Sequence, residues 1–375
     1  MKAAKAGAIM ATLQAGYTNF KYLSKETKEI TEREALIGVS ITGWMNNPEI
    51  LFNEQNMIDA ANEVKRVNKI VAKLIGINPA ARTTCAKPSG NASVILGTES
   101  GIHGAHSSRY IRNVQMNEMD EVLSVIQKFN PEMVEKSVWS ANGTDSVVSF
   151  PVQVKEGTIT RKDLLGVRQL EYVKKAQQFW VEAGTDLELC VDKNLRHNIS
   201  NTISVDNWEE VEQYLFDNRQ WFAGVSLLSA SGDKDYPQAP FTEVLTEQEI
   251  IDQYGVAAMF ASGLIVDGLQ CFGNLWKACD CLVGIGEVLS TDNSDDLLKR
   301  DWVRRAKKFA KNYFNGDIKQ MTYCLKDVYN LHKWTKIVNS LGPIDFSKEL
   351  SKVTYTEVDS LAGAACAGGQ CSIEF

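Results

Sequence analysis

The sequence predicts an α/β fold, and three observations carry that reading. Short runs rich in β-branched residues, bounded by Gly, Pro or Asn, recur along the first two thirds of the chain. Longer segments with apolar residues at helical spacing separate them. After Pro240 the strand signals stop and helical spacing takes over. Strands separated by helices pair in parallel through crossovers, which gives an α/β sheet or barrel.

Taken in order, the strand candidates are 37–42 (IGVSIT), 83–86 (TTCA's span), 147–154 (VVSFPVQV), 199–205 (ISNTISV) and 224–228 (GVSLL). Between them, residues 54–75 place Met57, Ala60, Ala61, Val64, Val67, Ile70, Val71 and Leu74 on one helical stripe. A second amphipathic helix is expected over 163–182, with Leu164, Val167, Leu170, Val173, Ala176 and Trp180 on its apolar side. A shorter one is expected over 207–217, after the cap-like Asp206. Residues 246–340 read mostly as helix. The expected divisions are 1–240, a mainly helical region 241–358, and a flexible tail 359–375. The last fifteen residues, LAGAACAGGQCSIEF, are rich in Gly and Ala and offer little to pack.

A chain of 375 residues can bury a large core. Its hydrophobic content of 44% and charged content of 23% are those of a globular protein. No apolar run is long enough to span a bilayer, and the N-terminal segment lacks the sustained hydrophobic block of a signal peptide. A cytoplasmic location without membrane association is expected. The formal net charge of −7 argues against a nucleic-acid surface. Between Pro79 and Gln115, however, Glu99 is the only acid, while Arg82, Lys87, Arg109 and Arg112 are basic. Such a basic island suits a small anionic ligand, or is a solvated face.

The most informative stretch of the body is 83–93, TTCAKPSGNAS. A short strand runs into Pro88, Ser89 and Gly90, and a helix start follows. Pro88 fixes the turn and Gly90 lets a ligand approach the backbone. Ser89, Asn91 and Ser93 offer side-chain hydrogen bonds, and the free N–H groups of a helix start favour an anion. The same pattern also serves as an ordinary capped turn. Residues 97–112 follow without a clean period and concentrate Gly, His, Arg and hydroxyls, as functional loops do. His103 and His106 lack the partners a metal site needs, so no metal is expected.

Eight cysteines are present. Cys366 and Cys371 form a C-x4-C pair in the Gly-rich tail, a spacing that lets two thiols on an arm exchange with a disulfide and then with an outside reductant. Cys279 and Cys281 lie in an apolar helical segment and read as core. Cys85, on the strand entering the loop, is given no role.

These motifs resemble the class II, adenosylcobalamin-dependent ribonucleotide reductases. The resemblance rests on Lys-Pro-Ser-Gly (87–90), Ser-Gly-Ile-His (100–103) and Arg-Tyr-Ile-Arg (109–112). In the same order along the chain, it also rests on 37–43, 148–152, the helix ending at Trp180, 201–205, 224–228 and 237–240. CysAlaGlyGlyGlnCys resembles the redox tail of that family. The similarity covers roughly residues 35–245 and the extreme C-terminus, and 246–350 match less clearly.

The resemblance implies part of a ten-stranded α/β barrel, about half of its strands. It implies that Pro88, Ser89, Gly90, Asn91, Ala92 and Ser93 hold the phosphates of a ribonucleotide. It implies that Cys366 and Cys371 are a redox pair served by thioredoxin or a glutaredoxin-like protein. Adenosylcobalamin is the implied cofactor, with Gly101, Ile102 and His103 as its candidate contacts by position. The family's radical cysteine, its neighbouring glutamate and its internal cysteine pair map onto no residue here. An N-terminal half supplying them is therefore an expected partner, and the 375 residues alone are expected to be inactive. A class I large-subunit fragment is disfavoured because no Tyr-Tyr dipeptide occurs. A non-catalytic nucleotide-binding subunit would not need the tail dithiol. An unrelated α/β thiol oxidoreductase would need a C-x-x-C at a helix start, which is absent.

Overall fold

The structure, a computed structural model, describes residues 1–230, 236–285, 289 and 294–351. Its strands are β1 (Val39–Ser40), β2 (Thr84–Cys85), β3 (Arg109–Asn117), β4 (Val134–Lys136), β5 (Asp145–Gln153), β6 (Thr202–Val205), β7 (Ser226–Ser229) and β8 (Phe241–Glu243). The chain forms two compact units. The first takes Met1–Ser108 and Val154–Gly232, and the second takes Arg109–Gln153 and Asp233–Phe375.

The first unit is a parallel α/β layer. β1 pairs with β2 in parallel, and β6 pairs with β7 in parallel. Ala86 bridges Ile199 in parallel, so the segment leading into β6 continues the row beside β2. Each step along the row is bridged by a helix: Glu54–Ile75, then Val167–Ala176 with a π-turn at Gln177–Val181, then Trp208–Asp217. Helical crossovers of this kind are what parallel neighbours require. Trp44, Met57, Val64, Ile102, Leu170, Trp180, Ile199 and Ile203 fill the core between helices and strands.

The helix Glu54–Ile75 has the bounds its spacing predicts, because both ends are signalled locally. The Asn53 side chain accepts from the Asn56 N–H, and Gly76 closes the C-terminus with φ 74°. Its buried face is Met57, Ala61, Val64, Val67, Asn68 and Ala72, whereas Ile70 and Leu74 of the expected stripe are exposed. Asn68 is polar yet buried because its amide is fully used: Nδ2 donates to Thr12 Oγ1 at 3.0 Å, and Oδ1 accepts from the Ala80 N–H at 2.8 Å. At 208–217 the cap is Asn207, whose side chain accepts from the Glu210 N–H, in place of Asp206.

The second unit combines an antiparallel sheet, in the order β4-β5-β3-β8, with helices. The run expected as a parallel strand at 147–154 is β5, at the centre of this antiparallel sheet. Its partner β3 was not among the strand candidates, and its first residues, 109–112, were read as part of an aperiodic loop. Arg109, Arg112, Asn113, Gln115 and Asn117 dilute the apolar alternation of β3, but full-length pairing with β5 supports it as a strand. The units change over at 108, 154 and 232, whereas the expected divisions were 1–240, 241–358 and 359–375. Beyond β8 the described elements are helices, among them Glu247–Tyr254, Ala257–Phe272, Leu275–Leu282, Ser294–Tyr313 and Ile318–Ser340. They bury Tyr254, Leu264, Trp302, Met321 and Leu325 in a core of their own. Among the described residues, no single helix is long and apolar enough to cross a membrane.

Candidate functional site

The site is built where β2 ends. The backbone leaves the strand at Cys85, turns through Lys87–Asn91 and enters the short helix Ala92–Leu96. Ser40 and Thr42 hold this turn from the neighbouring strand region. They are two apart, so extended backbone presents both hydroxyls on one side. Ser40 Oγ accepts from the Lys87 N–H at 2.9 Å. Thr42 Oγ1 lies 3.1 Å from Ser89 Oγ, donates to the Glu99 carbonyl at 2.9 Å and accepts from the Gly101 N–H at 3.2 Å. The Ser89 carbonyl is clamped by two hydroxyls, Ser93 Oγ at 2.6 Å and Ser100 Oγ at 3.1 Å.

The returning segment locks the turn from behind. Gly101 adopts φ 55°, and a Cβ there would sit 3.2 Å from Pro88 Cα and 3.3 Å from the Lys87 carbonyl oxygen. A residue with a side chain would therefore be strained and would push the turn outward. Asn46 Oδ1 takes the Glu99 N–H at 2.8 Å.

What remains open is a row of backbone donors. Among the described residues, the N–H groups of Gly90, Asn91, Ala92, Ser93 and Val94 have no acceptor within the protein. Asn91, at the cap position, makes no side-chain capping bond, so nothing of its own covers them. Gly90 is exposed, and a Cβ built on it would meet nothing within 4 Å. Consecutive unpaired amides at the end of a strand attract an anion.

The side chains contribute less than their types suggest. Ser93 is buried and committed to the Ser89 carbonyl, and the Ser89 hydroxyl is shared with Thr42. Asn91 is exposed and keeps its amide available, and Ala92 offers only backbone. Most members of the basic island are engaged by partners of their own. Arg82 is buried and paired with Glu34 at 2.8 Å. In the second unit, Arg109 donates to the Leu245 carbonyl and stacks on Trp334, while Arg112 lies over Phe241. Lys87 alone stays in the turn, exposed.

Gly101, Ile102 and His103 face inward. Ile102 is fully buried in the core. His103 has both ring nitrogens engaged: Nε2 accepts from the Thr202 N–H at 3.0 Å, so Nδ1 donates to the Ser100 carbonyl at 3.1 Å. Burial pushes its pKa down despite the bond to Ser100, which fixes a neutral ring as a brace between loop and strand. These three residues do not fit as direct contacts of a corrin. No cluster of three His, Cys, Asp or Glu suited to a metal ion occurs among the described residues.

Cys85 is half-buried, and burial raises its pKa although Lys87 opposes the shift. Cys279 is buried and Cys281 half-buried on the helix Leu275–Leu282, neither in a disulfide. Cys366 and Cys371 lie outside the described residues. Sequence reasoning assigned no role to Ser40, Thr42 and Asn46. The signal available for the first two was the pair of hydroxyls at strand spacing in VSIT.

No protein-family profile matches the chain. A probable adenosylcobalamin-dependent ribonucleoside-triphosphate reductase of Dictyostelium discoideum is 24% identical over 233 residues, which is 58% of this chain and 28% of that protein. The adenosylcobalamin-dependent ribonucleoside-triphosphate reductase of Euglena gracilis is 22% identical over 230 residues, 60% of this chain and 29% of that protein. Over this region the chain is similar to adenosylcobalamin-dependent ribonucleoside-triphosphate reductases. The crystal structure of a B12-dependent, class II ribonucleotide reductase superposes with a TM-score of 0.54 at 18% identity, over 66% of this chain and 36% of that one. That likeness extends to the fold. The matched region spans less than a third of each of the two curated reductases.

Proposed function

We propose that this chain supplies the substrate-phosphate loop and the tail dithiol of an adenosylcobalamin-dependent ribonucleotide reductase. The observation that carries the reading is the run of unpaired amides from Gly90 to Val94, held open by Ser40, Thr42 and Gly101. The phosphates of a ribonucleoside di- or triphosphate accept from these N–H groups, with Asn91 beside them. Pro88, Ser89 and Ser93 shape the turn, and Ala92 contributes its N–H. The parallel row of the first unit is then a portion of the family's α/β barrel. The radical cysteine and the internal cysteine pair come from reductase residues outside these 375.

Reduction of one ribonucleotide consumes two electrons. In the proposed relay, one thiolate of the Cys366–Cys371 pair attacks the internal disulfide and forms a mixed disulfide. The second thiolate displaces the internal thiol, leaving a tail disulfide and two reduced internal cysteines. Thioredoxin or a glutaredoxin-like dithiol then reduces the tail disulfide by the same exchange. Adenosylcobalamin supplies radical initiation in the complete enzyme. Gly101, Ile102 and His103 brace the phosphate loop in this reading. The cytoplasm suits a relay that needs reduced thiols.

Gly90→Val tests the loop. Its side chain enters open space, so the melting temperature should stay within about 2 °C of the parent. Tripolyphosphate, which carries the charge without a base, should bind the parent chain and bind the variant on the order of tenfold more weakly, about 1.4 kcal/mol. Failure of the parent chain to bind tripolyphosphate, or equal binding by both proteins, removes the phosphate-loop assignment.

Thiol alkylation tests the tail. With limiting iodoacetamide at pH 8, Cys366 and Cys371 should label first by peptide mass spectrometry. Cys324 should label last, because burial and Asp327 push its thiol up to about 12. Slower labelling of the tail pair than of Cys85 or Cys324 contradicts the redox role proposed for Cys366 and Cys371.

A further inference from the structure

The second unit contains a cavity of about 330 Å³ that the reductase reading does not use. β3 and β8 contribute Asn113 and Thr242 to its wall, and the helices contribute Trp276, Tyr329, Asn330 and Lys333. Its size is at the lower end of small-molecule sites and suits one ring system with a small substituent.

Asn330 is the informative residue. It is 7% exposed, lines the cavity, and its side-chain amide has no hydrogen-bond partner among the described residues. The amide opens onto the cavity, where it can meet a ligand that supplies both a donor and an acceptor. The Tyr329 hydroxyl and the Thr242 hydroxyl are also without partners among the described residues. Burial, with the nearby Glu135, pushes Tyr329 up to about 12, so it stays a donor. Its ring meets Trp276 edge-on, with centroids 5.8 Å apart.

The rest of the wall is already satisfied and stiff. Asn113 donates to the Ala239 carbonyl and accepts from Ser149. Gln238, at φ 58°, donates to Glu135 and to the Lys136 carbonyl and accepts from the Val138 N–H. A side chain held in that strained backbone region is the kind of feature that recurs at ligand sites. The cationic groups are neutralised: Lys333 pairs with Glu135 at 2.7 Å, and Lys136 with Glu118 at 2.7 Å. The cavity therefore has aromatic walls and an amide edge without spare positive charge.

We infer that this cavity is a binding site for an uncharged nucleoside or nucleobase, read by Asn330 at its hydrogen-bonding edge and packed against Trp276 and Tyr329. An amide presents adjacent donor and acceptor groups, as base edges do, and aromatic side chains receive the ring. The inference goes beyond the reductase reading and stands apart from it, because all its residues belong to the second unit.

The test is calorimetric titration of the full chain with adenosine and cytidine, with ribose and ATP as comparisons. At least one nucleoside should bind with a dissociation constant of about 1 mM or tighter. Asn330→Leu should weaken that binding at least about tenfold while its melting temperature stays within about 2 °C of the parent. Tyr329→Phe and Thr242→Val serve as milder variants should Asn330→Leu fail to fold, and each should weaken binding severalfold. The inference is overturned if neither nucleoside binds or ribose binds equally well. It is also overturned if ATP binds tenfold tighter through Asn330, or if the variants bind as the parent does. Gly90→Val should leave nucleoside binding here intact, so failure of this site and failure of the phosphate loop are distinguishable.

Discussion

Replacing Gly184 with alanine should destabilise the first unit by about 3 kcal/mol or more, at or above the upper end for forcing one methyl into a packed core. A Cβ at this position would sit 1.9 Å from Thr84 Oγ1 and 2.7 Å from Thr84 Cγ2. Neither side can yield. Thr84 is buried and donates to the Trp180 carbonyl at 2.7 Å. The Gly184 carbonyl itself accepts from the Thr83 N–H at 3.0 Å and from Thr83 Oγ1 at 2.7 Å. Gly184 is thus the point at which the end of the Trp180 turn lies directly against β2, and β2 aims the phosphate loop. The expected result is a large fall in the urea midpoint together with lost tripolyphosphate binding. Adding Thr84→Ala should recover part of the stability, because the two closest clashing atoms are gone. Normal stability of the single variant would show that the π-turn does not pack on β2 as described.

The first unit was largely legible because its signals are local. The helix over 54–75 announces itself by a cap, a stripe and a terminal glycine, and β1, β2 and β6 fall inside β-branched runs. The turn after β2 was legible as strand, Pro-Ser-Gly and helix start. What supports it was not. Ser40 and Thr42 reach a loop 47 residues away, and neither residue carries a mark of that distant partner. Serine and threonine types alone also misled within the loop, because Ser93 spends its hydroxyl on the Ser89 carbonyl. The basic island failed for a related reason. Nearness along the chain says nothing about which way a guanidinium turns, and Arg82, Arg109 and Arg112 each found a partner elsewhere. β3 escaped notice because pairing with β5, not its own composition, makes it a strand. Asn330 was beyond the sequence altogether, since an amide facing a cavity is defined by what surrounds it.

Arg82→Met should be nearly as damaging as the glycine change, and its pH dependence separates the two. The Arg82 and Glu34 side chains are 5% and 13% exposed, with Nη1 2.8 Å from Oε2. Arg82 also donates through Nε to the Leu195 carbonyl at 3.1 Å and through Nη2 to the Asp192 carbonyl at 3.2 Å. One guanidinium therefore ties the helix that ends at Glu34, the strand that enters the phosphate loop, and the 192–195 turn. Methionine keeps much of the volume but leaves Glu34 with Arg33 alone and two carbonyls without donors. Breaking a buried pair from one side costs about 3–5 kcal/mol. In the parent, desolvation raises the Glu34 pKa, but hydrogen bonds and charge from Arg33 and Arg82 outweigh it and hold the carboxyl below its ordinary value. A depressed carboxylate contributes stability that is present above the unfolded-state pKa, about 4.3, and is lost as pH falls through the lower folded value. The parent should therefore lose part of its stability on acidification below about pH 4.3, and the part due to Arg82 should be missing from the variant. Urea midpoints measured at pH 7 and again near pH 3.5 should converge for parent and Arg82→Met. A gap of equal size at both pH values would mean that Arg82 acts through its carbonyl contacts and packing, with the Glu34 pair contributing nothing.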